Sequence, residues 1–162
     1  MKITLRPIIP KQPILKLDRI SYELNAALAE TMDGIEKDFR ATTRTWNTKP
    51  PFRQHGPHLR AGALVGEVGT SDEIYGYVTG GTRPHIIVPR RSRLLRFRTG
   101  YRAKTAPRYI GSRAGGAFGP FVTARVVHHP GTAAREFESE IADRRRIGFA
   151  RRVQDGIKRA AR

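Results

Sequence analysis

The chain has 162 residues, no cysteine, and 31 Lys+Arg against 14 Asp+Glu, for a formal net charge of +17. The length fits one domain, the missing cysteines exclude a disulfide framework, a thiol nucleophile and a cysteine-based zinc site, and no apolar run approaches the ~18 residues of a membrane span. The basic excess calls for something acidic nearby, whether nucleic acid, a membrane surface or an acidic protein.

Residues 1–16 read as an extended N-terminal arm. Pro7, Pro10 and Pro13 fix φ and remove backbone donors, so the arm cannot be helical, and they interrupt any secretory apolar core. Its Ile3, Leu5, Ile8, Ile9 and Ile14 need cover, from this chain or from a neighbour. The remainder, 17–162, is expected to form a single α+β domain. Leu17, Ile20, Leu24, Leu28, Met32 (or Thr31), Ile35 and Phe39 recur at three- and four-residue spacing, which predicts a helix over 17–47 with Asp18 as its N-cap. Pro50 and Pro51 end it.

Strand signals follow over 58–128, beyond a Pro/Gly/His-rich connection at Pro50–Pro57. Leu59–Val68 is small-residue rich and weakly alternating, and Ile74–Thr79 is short and aromatic. Ile86, Ile87 and Val88 form a β-branched run that Pro89 interrupts. Leu95 and Phe97 alternate with Arg96 and Arg98, as on a half-buried strand with a basic outer face. Phe121–His128 reads as one more strand. Between these last two, 100–120 is a long loop or hairpin excursion with glycines at 100, 111, 115, 116 and 119. Helical spacing returns over 132–160, with Thr132 as N-cap, Glu136, Glu138 and Glu140 early, and Phe137, Ile141, Phe149, Val153 and Ile157 as the apolar stripe. Helices that bracket strands, with none interleaved, predict a long N-terminal helix on an antiparallel sheet and a C-terminal helix.

Catalytic patterns are sparse. The histidines are His55, His58, His85, His128 and His129, and no carboxylate lies between Glu73 and Glu136 to orient or co-ligate the strand-region ones. His55 and His58 have a chelating spacing but flank Gly56-Pro57. Ser112 lacks a nucleophile-elbow context. The glycine-rich 111–119 lacks the Lys-Ser/Thr of a phosphate-binding loop and leads into a strand. The expectation is no enzyme, no cofactor and no metal.

Charge distribution is the prominent feature. Between Ile74 and Arg135 there are twelve basic residues and no acids. Nine of them, Arg90, Arg91, Arg93, Arg96, Arg98, Arg102, Lys104, Arg108 and Arg113, fall in 24 positions, and across the whole basic stretch Phe97, Tyr101, Tyr109, Phe118 and Phe121 are interleaved. Arginine dominates, as bidentate contacts to phosphate or carboxylate favour. This stretch is the candidate interface with DNA or an acidic partner. A solvated basic face is the plain alternative.

Four short motifs in order then resemble a known family. Tyr77-Val-Thr-Gly-Gly-Thr-Arg-Pro-His85-Ile-Ile-Val-Pro89, Leu94-Leu-Arg-Phe97, Val127-His-His-Pro-Gly-Thr132 and the following Phe137 resemble the neck, head–tail joining or tail-completion (minor tail) proteins of tailed bacteriophages, over about residues 15–142. Thr79 stands where that family usually has an acid. The resemblance implies a structural virion protein, assembled in the host cytoplasm and resident at the neck. It implies a homo-oligomeric ring of roughly six copies, between the portal-side connector or head-completion protein and the tail tube or tail-terminator protein. Contact with packaged DNA fits; no membrane partner is expected. Within the motifs, Gly80, Gly81, Thr82, Pro84, His85, His129, Pro130 and Gly131 then have structural roles at strand ends and turns. The alternative reading is a general nucleic-acid-binding or packaging protein without catalysis.

Leu, Ile, Val and Phe are only 37 of 162 residues, a thin core for this length, which favours completion of burial against copies or partners.

Overall fold

A computed structural model describes residues 2–6 and 17–161. It is α+β: a body of three helices and a three-stranded antiparallel sheet, from which a long two-stranded ribbon departs and to which it returns. Helix α1 (Leu17–Thr42) lies on the sheet of β1 (Lys2–Leu5), β2 (Arg53–Arg60) and β3 (Ala63–Gly69), ordered β1-β3-β2. The predicted stripe is its buried face: Ile20, Leu24, Leu28, Met32, Ile35 and Phe39 are all buried, and only Leu17 is exposed. Where Met32 meets β3, Gly66 supplies the space: a Cβ there would stand 2.4 Å from the Met32 sulfur. Close approach therefore sets the glycine.

Helix α3 (Phe137–Ala160) runs antiparallel to α1, burying Phe137 and Ile141 fully and Phe149, Val153 and Ile157 in part. Four ion pairs cross the seam: Arg145–Asp38 at 2.7 Å, Arg144–Asp38 at 3.8 Å, Arg152–Glu30 at 2.8 Å and Arg159–Glu23 at 2.6 Å. The core closes on an aromatic cluster in which Phe39 stacks on Phe52 at 5.1 Å and Tyr75 meets Phe52 at 5.2 Å and Phe137 at 5.8 Å.

Several expectations need correction. Ile74–Thr79 is helical: α2 spans Glu73–Gly80, because the Asp72 side chain accepts the Tyr75 N–H at 2.8 Å as an N-cap. Tyr75 and Thr79, four apart, then face the core together. Leu59–Val68 is two strands, β2 and β3, since Ala61 and Gly62 both take positive φ (50° and 75°) and turn the chain back. For the same reason β2 begins inside the supposed connection, at Arg53. Helix α1 stops at Thr42, whose hydroxyl turns back to the Phe39 carbonyl at 2.7 Å, and Asp18 lies inside its first described turn instead of capping it. The C-terminal helix starts at Phe137, five residues after Thr132. Thr79 anchors its start: its carbonyl accepts the N–H groups of Arg135 and Glu136, and its hydroxyl accepts that of Phe137 at 3.1 Å. Of the arm, residues 2–5 are an edge strand of this chain's own sheet, with Ile3 opposite Val68 and buried; Pro7 through Lys16 lie outside the described residues. Nor is 58–128 one sheet: everything after α2 belongs to the ribbon.

Candidate interface: the basic ribbon

Three strand pairs are nested about one axis. β4 (His85–Ile87) pairs with β9 (Val127–His129), β5 (Leu95–Arg98) with β8 (Phe121–Ala124), and β6 (Tyr101–Arg102) with β7 (Gly116–Ala117). Thus 100–120 is the far part of a hairpin, and Phe121–His128 is broken at Arg125–Val126. The break matches an outward bulge: residues 88–94 of the outgoing strand stand against 125–126 of the returning one, and Arg90, Arg91 and Arg93 are exposed on it.

The ribbon is fastened at its root and at its tip. At the root, Thr82 and Thr132 exchange two backbone hydrogen bonds, 2.9 and 3.0 Å. Gly81 ends α2 at φ +74, and Gly131 turns at φ +86 with its Cα so near Thr82 that a Cβ would lie 2.3 Å from the Thr82 carbonyl. The rings of His85 and His129 stack at 4.9 Å, and His129 Nδ1 accepts the Gly131 N–H at 3.0 Å. Gly80, Gly81, Thr82, Pro84, His85, His129, Pro130 and Gly131 are thus gathered around one crossing point, where the chain leaves α2 and comes back toward α3.

At the tip, Lys104 Nζ donates to the Thr45 carbonyl (2.8 Å) and to Asn47 Oδ1 (3.1 Å), and Thr45 Oγ1 donates to the Arg113 carbonyl. The Ser112 hydroxyl is buried between the Thr45 N–H, which it accepts, and the Ala41 carbonyl, to which it donates. Two of these bonds add donors to the carbonyls of Ala41, in the last turn of α1, and of Thr45 just beyond it. Under the strap lies a cleft of about 650 Å³ lined by Trp46, Ile74, Val78 and Tyr101 among others.

The two faces of β5·β8 differ as alternation requires. Leu95, Val122 and Ala124 are half-buried, with Phe97 beside them; Arg96, Arg98, Phe121 and Thr123 are exposed. On that outer face the Arg96 and Arg98 guanidiniums sit over the Phe121 ring, 4.7 and 5.3 Å from its centroid. Arg98 Nε also donates to the Gly119 carbonyl at 3.2 Å.

Of the basic residues singled out from the sequence, Arg90, Arg91, Arg93, Arg96, Arg98 and Arg102 are exposed along the ribbon, and Arg108 and Arg113 at its tip. Lys104 is a correction: its ammonium is turned onto the body as an anchor, so it does not belong to a free basic face. Phe121, an aromatic interleaved with the basic stretch, is set opposite Arg98 by the strand register. His55 and His58 are exposed on β2 on either side of a bulge, and among the described residues no group of three or more His, Cys, Asp or Glu converges as a metal site. No helix among the described residues is long and apolar enough to cross a membrane.

Comparison with protein families, curated proteins and solved structures finds no match.

Proposed function

We propose that this chain is a structural virion protein of a tailed-phage neck, forming an oligomeric ring that joins the portal-side connector to the tail. The observation that carries the reading is the ribbon itself. It is two strands wide, and each strand has one edge without a partner strand among the described residues. A two-stranded ribbon is marginal in water by itself, and open edges are templates for pairing with another chain. Exposed along it are Ile86 (61%), Val88 (54%), Phe118 (62%) and Val126 (46%), apolar side chains that a monomer leaves wet. The ordered motifs described above support the same reading, since they fall on α2, on the ribbon root and on β5. In this reading neighbouring copies cover the ribbon, the connector or head-completion protein meets one side of the ring, and the tail tube or tail-terminator protein meets the other. The site of action is the virion neck, after assembly in the host cytoplasm.

Native mass spectrometry and negative-stain microscopy of the full chain, alone and with its portal-side neighbour, test this. Closed rings are expected, and I86K/V126K should dissolve them without lowering the melting temperature. A protein that stays monomeric in both preparations overturns the proposal.

A further inference from the structure

All eight ion pairs among the described residues are made by basic side chains outside the ribbon: Lys2, Arg40, Arg144, Arg145, Arg146, Arg152, Lys158 and Arg159. Among the described residues, none of the twelve basic side chains between Ile74 and Arg135 forms an ion pair, and that stretch contains no acid of its own. It therefore holds +12 of the formal +17, unneutralised and mostly exposed. Like charges gathered on one strand and its bulge oppose folding of the ribbon; an external anion removes that opposition.

We infer that the outer face of the ribbon, centred on Arg96, Arg98 and Phe121, binds the phosphate backbone of duplex DNA. The geometry at Phe121 favours phosphate. Each guanidinium lies over an exposed ring, which fixes its plane and restrains a long side chain before any ligand arrives. Arg98 uses Nε on the Gly119 carbonyl, so its terminal nitrogens are free, and Arg96 donates to no described residue. The two positioned forks spring from Cα atoms two residues apart on one strand, roughly 7 Å along it. Duplex DNA offers about one charge per 1.7 Å of its axis, so each fork meets its own phosphate.

Duplex is favoured over single strands because a two-stranded ribbon is of a width that a major groove of about 12 Å admits. An acidic protein is disfavoured because protein interfaces centre on an apolar patch within a polar rim, whereas the outer face of β5·β8 carries one exposed ring, Phe121, beneath two arginines. The adjacent bulge adds Arg90, Arg91 and Arg93.

The inference stands apart from the ring reading: a monomer that binds duplex keeps this one and ends that one, and rings indifferent to DNA do the reverse. The test is fluorescence anisotropy with a labelled mixed-sequence duplex of about 20 base pairs, titrated with the full chain between about 50 and 200 mM NaCl. Arg96→Gln with Arg98→Gln is expected to reduce the slope of log K against log salt by about 1.8, at about 0.9 per lost phosphate contact. Phe121→Leu, which changes no charge, is expected to weaken binding severalfold with the protein still folded by circular dichroism. The matched-charge control Arg146→Gln with Arg151→Gln on α3 is expected to change neither slope nor affinity by more than twofold. Equal losses in ribbon and helix variants, an unchanged slope in R96Q/R98Q, a single strand bound as tightly as the duplex, or displacement by poly-glutamate at equal charge would each overturn the inference. The last result would hand the face to an acidic protein.

Discussion

Along the seam between α1 and α3, guanidinium meets carboxylate about every two turns: Glu23 with Arg159, Glu30 with Arg152, Asp38 with Arg145. Along the ribbon, the basic residues from Arg90 through Arg113 meet no carboxylate among the described residues. The body also buries its large apolar side chains, Leu28, Met32, Ile35, Phe137 and Ile141, to zero exposure, whereas Ile86, Phe118 and Phe121 of the ribbon are more than half exposed. The body pairs much of its charge and buries its central apolar side chains, and the ribbon does neither. The difference teaches where to look for energy and where to look for partners: stability resides in the body, and the unmet demands for charge and cover reside in the ribbon.

The comparison can be broken by substitution. The largest effect is expected from Phe39→Ala, which removes the ring joining Phe52 and Tyr75 in the core; it should cost about 3–5 kcal/mol by denaturant melts. A loss under about 1 kcal/mol would mean that the body is not the stable unit. Next, Arg145→Gln strands Asp38, whose side chain is only 9% exposed and keeps Arg144 at 3.8 Å as its remaining cation. About 1.5–3 kcal/mol is expected. Gly131→Ala should cost about 1–3 kcal/mol, since a methyl group at φ +86 runs into the Thr82 carbonyl. Its sharper reading is regional: amide exchange should rise in β4–β9 and stay slow in α1. Uniform acceleration would show that ribbon and body unfold as one.

Against these, R96Q/R98Q/R102Q should shift stability by no more than about 0.5 kcal/mol, because surface substitutions at exposed side chains without ion pairs contribute little. Adding Lys104→Gln is a separate experiment, since it cuts the tip's bonds to Thr45 and Asn47. The smallest effect is that of pH. Arg159 holds the Glu23 carboxyl below its usual range through a hydrogen bond, Gln54 and then Arg40 do so for Glu36, and Lys2 does so for Glu67. Each folded-state value lies below the unfolded one. The associated stability is therefore present above about pH 4.5 and lost as pH falls through the lowered values. A modest drop in melting temperature below that point should appear first in exchange of α1 and β1 amides. A flat profile down to pH 3 would remove these carboxylates from the account.

The long helices of the body are the most legible part of the sequence, because burial imposes a period that survives in the residues: the apolar positions from Ile20 to Phe39 and from Phe137 to Ile157 recur at helical spacing. Their ends were less legible, being set by contacts distant in sequence, such as Thr79 receiving the start of α3. Helix α2 was misread since Tyr75, Tyr77 and Val78 favour strands locally, and only the Asp72 cap and the core beneath Tyr75 decide otherwise. On the ribbon, composition alone marked the arginines. It could not separate Arg96 and Arg98, laid over Phe121, from Lys104, turned inward, because that distinction lives in the register.

A strap fastened at root and tip has a fixed contour. With Thr82 tied to Thr132 and Ser112 buried against the end of α1, the span between them cannot lengthen or shorten within its paired strands without tearing one fastening. Variation in length is thereby channelled into 88–94, where the outgoing strand already carries surplus residues. That bulge is the place where an inserted tag, or drift over generations, can change what the protein reaches without changing how it is held.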